Sequence, residues 1–398
     1  MSDESQRIFG ALRAQFPIFR ESRYLAACSH SPLSTPVEAA MREFLDSWRD
    51  QGNPWENQWM PTALECTRKF AALVCAPEAS IGLTSSVSAA LGSVLSGLDL
   101  STRRKVVTSA LDFPTLPDIL LAYAQSAGVQ VEVLPEECGD VPLEAYARAI
   151  DTRTALVCIS TASYATGTRL PVADVVQLAH ARGALCLVDA YQTLGAMHLD
   201  VGILQADFVV SGALKYLLGV SGLGFIYVAP GIAETLEPRD IGWMAAADPF
   251  GTNFQAFEYA AGGARFQGGT FNIPGCYAAR AALSLLLDIG SAQIEARVLD
   301  LTRRFADGLV ELGVQPRGPR QDGKRGPMVA VPVSGDAHAL QERLRRDERI
   351  ITAARGQALR FAFHGYNDST DVEACLEVVR RNLSPADHRE HFVQHSRG

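Results

Sequence analysis

The sequence predicts an α/β protein: a mostly parallel sheet covered by helices on both faces, followed by a smaller α+β unit. Two observations carry this expectation. From about residue 80 to 228, short continuous apolar runs alternate with helical stretches, the pattern of buried parallel strands joined by helical crossovers. After about residue 276 the texture changes to two long helical stretches, a few short strands and a last helix. Composition agrees: 398 residues, 47% hydrophobic and 20% charged, suit a packed protein of two domains or one large α/β unit.

Taken in order, residues 35–50 and 60–75 return apolar side chains at spacings of three and four and read as amphipathic helices. The strand runs are Ser80–Leu83, Lys105–Ser109, Val129–Leu134, Ala155–Ser160, Ala184–Val188, Phe208–Val210 and Leu223–Val228, with helices expected over Ser86–Leu98, Pro114–Ala127 and Val172–Arg182. Two long helices follow at 276–290 and 292–312, then strands at 327–333, 349–353 and 357–363 and a helix near 369–382. The expected organisation is an N-terminal segment, 1–50, packing with the small unit; a large sheet-bearing domain, 51–275; and a small C-terminal domain, 276–398.

Several function classes are disfavoured. The net charge is −8 with no basic run, which argues against nucleic-acid binding. No apolar stretch approaches the ~20 residues of a membrane span. Residues Met1 to Arg20 carry mixed charges without an apolar signal core, so a cytoplasmic location is expected. The eight cysteines read as reduced thiols, and none has C-x-x-C spacing, so no metal site is expected. His388, His391 and His395 read as a solvated tail.

Chemistry is sought beyond the carboxyl ends of the strands, where open parallel sheets bind ligands. Asp189 ends the run Ala-Leu-Cys-Leu-Val; alone it is either a site carboxylate or a turn cap. The basic residues are 32 Arg and only four Lys, and three of those lysines, Lys69, Lys105 and Lys324, sit beside arginines and read as solvated charges. The fourth, Lys215, lies in an apolar neighbourhood 26 residues after Asp189. A buried amine is costly unless paired or neutralised, for example as a Schiff base; the alternative is a snorkelling surface Lys. A Lys and an acid together point to pyridoxal phosphate, whose aldehyde needs an amine and whose ring nitrogen needs a carboxylate. Thr84-Ser85-Ser86-Val87-Ser88, between a strand and a helix, offers a phosphate cradle or an ordinary helix cap.

Five segments then resemble the class V aminotransferase family of pyridoxal-phosphate enzymes, which includes cysteine desulfurases, kynureninase and isopenicillin N epimerase-like proteins. They are Ser163-Tyr-Ala-Thr-Gly-Thr, Leu187-Val-Asp-Ala-Tyr-Gln, Asp207-Phe-Val-Val-Ser-Gly-Ala-Leu-Lys-Tyr-Leu-Leu-Gly, Phe266-Gln-Gly-Gly-Thr-Phe-Asn-Ile-Pro-Gly and Leu359-Arg-Phe-Ala-Phe-His-Gly-Tyr-Asn. Phe16-Pro and Tyr24-Leu match the start, so the resemblance spans nearly the whole sequence. It implies fold type I of these enzymes, pyridoxal 5'-phosphate as cofactor, and a homodimer with a shared active site. It also implies roles. Lys215 would form the Schiff base and shuttle the proton, and Asp189 would pair with the ring nitrogen. Gln192 and Tyr164 would lie at the ring oxygen, and Phe113 would stack on the ring. Ser85, Ser86, Val87 and Ser211 would hold the phosphate, with Thr270 reaching it from the partner subunit. Arg360 would clamp the substrate α-carboxylate. Apart from the resemblance, the aromatic N-terminal region, His30 with Pro54-Trp55-Glu-Asn-Gln-Trp59, either meets a bulky substrate or packs the dimer.

The departures bear on the reaction. Desulfurases carry a nucleophilic Cys shortly before the clamp Arg, and residues 349–359 contain none. Leu116 stands where kynureninase-like proteins have an Asp, and Leu214 where the residue before the lysine is usually His or Tyr. The expected activity is therefore that of a lyase breaking a C–S or C–C bond within the side group of a bulky cysteine-type conjugate, and not that of a persulfide-forming desulfurase. The alternatives are an aminotransferase or epimerase, or decarboxylation-linked oxidative deamination.

Overall fold

All seven apolar runs become strands of one sheet in the computed structural model, which describes residues 3–253 and 255–383. The strands are β1 (Ile81–Thr84), β2 (Lys105–Ser109), β3 (Gln130–Leu134), β4 (Thr154–Ser160), β5 (Leu185–Asp189), β6 (Phe208–Gly212) and β7 (Gly224–Val228). Their order across the sheet is β1-β7-β6-β5-β4-β2-β3. Only β7 runs against its neighbours, so the other six open their carboxyl ends on one edge. The interior strands β4, β6 and β7 are buried along their whole length, as continuous apolar strands covered on both faces must be. Strand β3, at the edge, mixes exposed and covered residues instead.

A second, antiparallel sheet holds β8 (Met328–Pro332), β9 (Ala353–Arg355) and β10 (Ala358–Ala362) in the order β9-β10-β8. The single strand expected at 349–353 is divided. Ile350–Ile351 pairs in parallel with Arg23–Tyr24, and β9 begins at Ala353. That pairing ties the two ends of the polypeptide together. The tie is reinforced by the bridge from Ala26 to Ala362, by Phe16 packing on Tyr366 at 4.8 Å, and by Arg13 donating through both Nη atoms to the buried Asp371 at 2.7 and 3.1 Å. The helix Thr35–Gln51 packs beside Met60–Leu73 on the helix Ile273–Ile289.

One sequence expectation fails here. Lys105 is not a solvated charge: it is 4% exposed, its Nζ donates to the Ala149 carbonyl, and it pairs with Glu132 at 2.6 Å and Asp151 at 3.5 Å. Two carboxylates brought in by a neighbouring strand and loop compensate the buried ammonium. All eight cysteines are free thiols. No helix among the described residues is long and apolar enough to cross a membrane. His388, His391 and His395 lie outside the described residues.

Candidate active site

The site forms where β5 and β6 end. Asp189 is the last residue of β5, and Lys215 sits three residues beyond β6. Register pairs Asp189 with Val210 on β6 and with Ser160 on β4, so the carboxylate stands between two neighbouring strand ends. Both residues are buried, at 4% exposure for Asp189 and 8% for Lys215. Burial pushes the Asp189 carboxyl up from 3.8 to about 6, opposed by the Tyr191 N–H it accepts at 2.9 Å and by the charge of Lys215. Burial pulls the Lys215 ammonium down from 10.5 to about 8, opposed chiefly by Asp189 and Cys28. The pair thus holds an amine able to lose its proton near neutral pH beside an acid that ionises just below it.

The lysine is held from both sides along the backbone. The carbonyl of Leu214, just before it, accepts from Ser31 N and Ser31 Oγ, both at 3.1 Å. The carbonyl of Tyr216, just after it, is 3.0 Å from Nε2 of His364, a ring whose burial lowers it to about 4 and so keeps it neutral. One brace comes from the first tenth of the sequence and the other from beyond β10. The same N-terminal segment buries Cys28 beside Lys215 and Arg360; burial raises that thiol while the two cations act against it. Gln192 Nε2 donates to the Cys28 carbonyl at 3.4 Å.

Aromatic rings wall the amine. Lys215 Nζ lies 4.2 Å from the Tyr191 ring centroid and 5.2 Å from that of Phe113. Phe113 meets Tyr164 edge to face at 5.1 Å. Asp112 sets the position of Phe113. Its buried carboxylate accepts from Thr108 Oγ1, Ser109 N and Ser109 Oγ at 2.8–2.9 Å and from Ser160 N at 2.6 Å, bolting the ends of β2 and β4 together. Arg360 points in from β10. It is 7% exposed, its Nη1 donates to the Tyr164 carbonyl at 2.9 Å, and its Nε is buried without a partner among the described residues.

The expected phosphate residues lie at the adjoining edge. Ser86 caps the helix Val87–Gly97, its Oγ accepting from Ala89 N at 3.1 Å, which leaves the hydroxyl hydrogen to donate elsewhere. Ser211 is buried on β6. Thr270 is exposed and is not brought to Lys215; it shares with Thr84, Ser85 and Gly222 the lining of a cleft of ≈ 470 Å³. His30 is exposed on the rim, one residue before the Ser31 brace. Trp55 and Trp59 pack with Trp243 and Phe44, away from the lysine.

These groups fit pyridoxal phosphate. They supply an amine for its aldehyde, a buried acid for its ring nitrogen, aromatic faces for its ring, and hydroxyls at a helix N-terminus for its phosphate. Arg360 is buried with its Nε unpartnered, a donor of the kind that suits a carboxylate.

Sequence reasoning assigned no role to Asp112, Tyr191, Ser31, His364 or Cys28. Asp112 and Tyr191 directly adjoin assigned residues, and that adjacency was the available signal. Ser31 and Cys28 come from the N-terminal segment and His364 from beyond β10, so no local spacing marks them.

The class V aminotransferase family model matches residues 23–375. An uncharacterised aminotransferase, YcbU, of Bacillus subtilis is 32% identical over 92% of this protein and 96% of its own length. A probable cysteine desulfurase of Methanothermobacter thermautotrophicus is 30% identical over 74% of each protein. Among solved structures, the apo cysteine desulfurase of Thermococcus onnurineus superposes with a TM-score of 0.83 at 26% identity, covering 93% of this protein and 97% of that one. The expected exclusion of a persulfide-forming desulfurase finds no support in these relatives.

Proposed function

Because this protein belongs to the class V aminotransferase family, whose cofactor is pyridoxal 5'-phosphate, we propose that it is a lyase acting on an α-amino acid that carries its leaving group through sulfur or carbon at Cβ. The observation that carries the reading is the convergence of Lys215, Asp189 and the half-satisfied Arg360 in one buried, aromatic-walled site. The desulfurase name of one relative supports chemistry at a C–S bond.

In this reading Lys215 would be the amine that binds the cofactor's aldehyde, Asp189 would hold the ring nitrogen protonated, and Phe113 would cover the ring. Gln192 and Tyr164 would be the groups nearest its ring oxygen. Ser85, Ser86, Val87 and Ser211 take the phosphate, and in a homodimer the exposed Thr270 of one subunit completes the phosphate site of the other. Bound pyridoxal phosphate supplies an electron sink that weakens the bonds at the substrate's Cα. The protein does the rest. Arg360 fixes the α-carboxylate through its guanidinium. Lys215, set free when the substrate's own amine takes its place on the aldehyde, would remove the Cα proton. The Cβ–S electron pair leaves with sulfur, which takes up that proton as a thiol, and water converts the released enamine to pyruvate and ammonia.

The test is incubation of the holoenzyme with S-substituted cysteines, assaying pyruvate, ammonia and free thiol. Stoichiometric release of all three is expected. Conversion of an added keto acid to its amino acid, with no thiol released, would replace the lyase reading by transamination. Persulfide on the protein, abolished by Cys28→Ala, would replace it by desulfuration.

A further inference from the structure

Strand register puts a second guanidinium over the site. In the β9–β10 hairpin Ala353 pairs with Arg360 and Arg355 with Ala358. Directly opposed residues share a face, as do residues two apart on one strand, so Arg355 and Arg360 project from the same side with only two alanine methyls between them. A two-residue turn, with Gly356 at φ +54°, fixes that register. The Arg355 guanidinium lies 5.2 Å from the Tyr164 ring centroid and 5.9 Å from that of Phe113, the ring that Lys215 approaches from within. The charges of Arg355 and Arg360 both act on Lys215. Arg360 is buried at the inner end and Arg355 exposed at the mouth. Neither makes an ion pair among the described residues, although Arg345 and Arg346 on the adjoining helix Ala337–Asp347 do. Two cations on one face of an aromatic slot, without a carboxylate between them, repel one another and are best complemented by a ligand with two negative groups.

We propose that the substrate is an amino acid whose side group ends in a second anionic group, and that Arg355 binds that group. The proposal rests on the assignment of Arg360 to the α-carboxylate. It narrows the bulky conjugate to an acidic one.

The probes are glutarate and pentanoate, acids of equal carbon number that differ by one carboxylate, titrated calorimetrically into the holoenzyme. Wild type is expected to bind glutarate about ten- to hundredfold more tightly, the worth of one charge-assisted hydrogen bond. Arg355→Gln should weaken glutarate alone and close the gap, and Arg355→Lys should restore part of it. Equal binding of the two acids by wild type, or equal weakening of both in Arg355→Gln, overturns the proposal. Arg360→Gln separates the two assignments: weakening of both acids supports the shared clamp. Undiminished binding of both overturns the clamp and this proposal with it. A glutarate preference that survives Arg355→Gln overturns this proposal alone.

Discussion

Asp189→Asn isolates the cost of holding a carboxylate in the site. Burial raises that carboxyl from 3.8 to about 6, and the opposing attraction of Lys215 is already contained in the value. Each unit is worth about 1.36 kcal/mol. A raised carboxyl binds its proton more tightly in the folded than in the unfolded protein. Stability therefore falls as pH rises from about 4 through about 6, and the loss is complete above that window. The full penalty is about 3 kcal/mol near pH 8 and about half that near pH 5. Asparagine keeps the shape and can still accept from Tyr191 N through Oδ1, but it has no charge to desolvate. Cofactor-free Asp189→Asn should thus be more stable than cofactor-free wild type by these amounts, read by urea unfolding at the two pH values. Added pyridoxal phosphate should reverse the order, because asparagine cannot counter a protonated ring nitrogen. A gain that is absent, or identical at both pH values, would refute the reasoning.

Other perturbations have defined outcomes. Arg360→Ala should raise KM for any amino-acid substrate by about ten- to hundredfold, the loss of a charge-assisted contact; an unchanged KM in steady-state assays would remove the clamp assignment. Of the eight thiols, the exposed Cys75 and Cys138 should be alkylated rapidly in the folded protein and the other six only in denaturant, as counted by mass spectrometry. Fast labelling of Cys28 would contradict its burial. Gly195 has φ +102°, and a Cβ there would collide with the backbone of Tyr216 and Leu217, next to the lysine. Gly195→Ala should cost about 1–3 kcal/mol in strain and loosen cofactor retention, measured as a lower melting temperature and a weaker visible absorbance band.

Much of this architecture was legible in one sequence because parallel strands covered on both faces announce themselves as uninterrupted apolar runs. Lys215 stood out for a related reason: with so few lysines, one without polar neighbours was conspicuous, and Asp189 marked a strand end. Lys105 misled because its compensation is not local. Glu132 and Asp151 reach it only after a strand has paired and a loop has turned, so its arginine neighbours suggested a surface that does not exist. Arg355 could not be singled out among 32 arginines, since its meaning lies in the hairpin register rather than in spacing. Ser31 and His364 were opaque for the same cause. Each is unremarkable until the two termini meet.

That meeting orders events during biosynthesis. The strands carrying Asp189 and Lys215 leave the ribosome well before His364, and the Ser31 brace has its own place only once the C-terminal sheet has received the N-terminal strap. A nascent or truncated polypeptide therefore presents an unaligned lysine, with neither flanking carbonyl secured. The alignment of Lys215 therefore depends on two segments distant from it in sequence, one carrying Ser31 and the other His364.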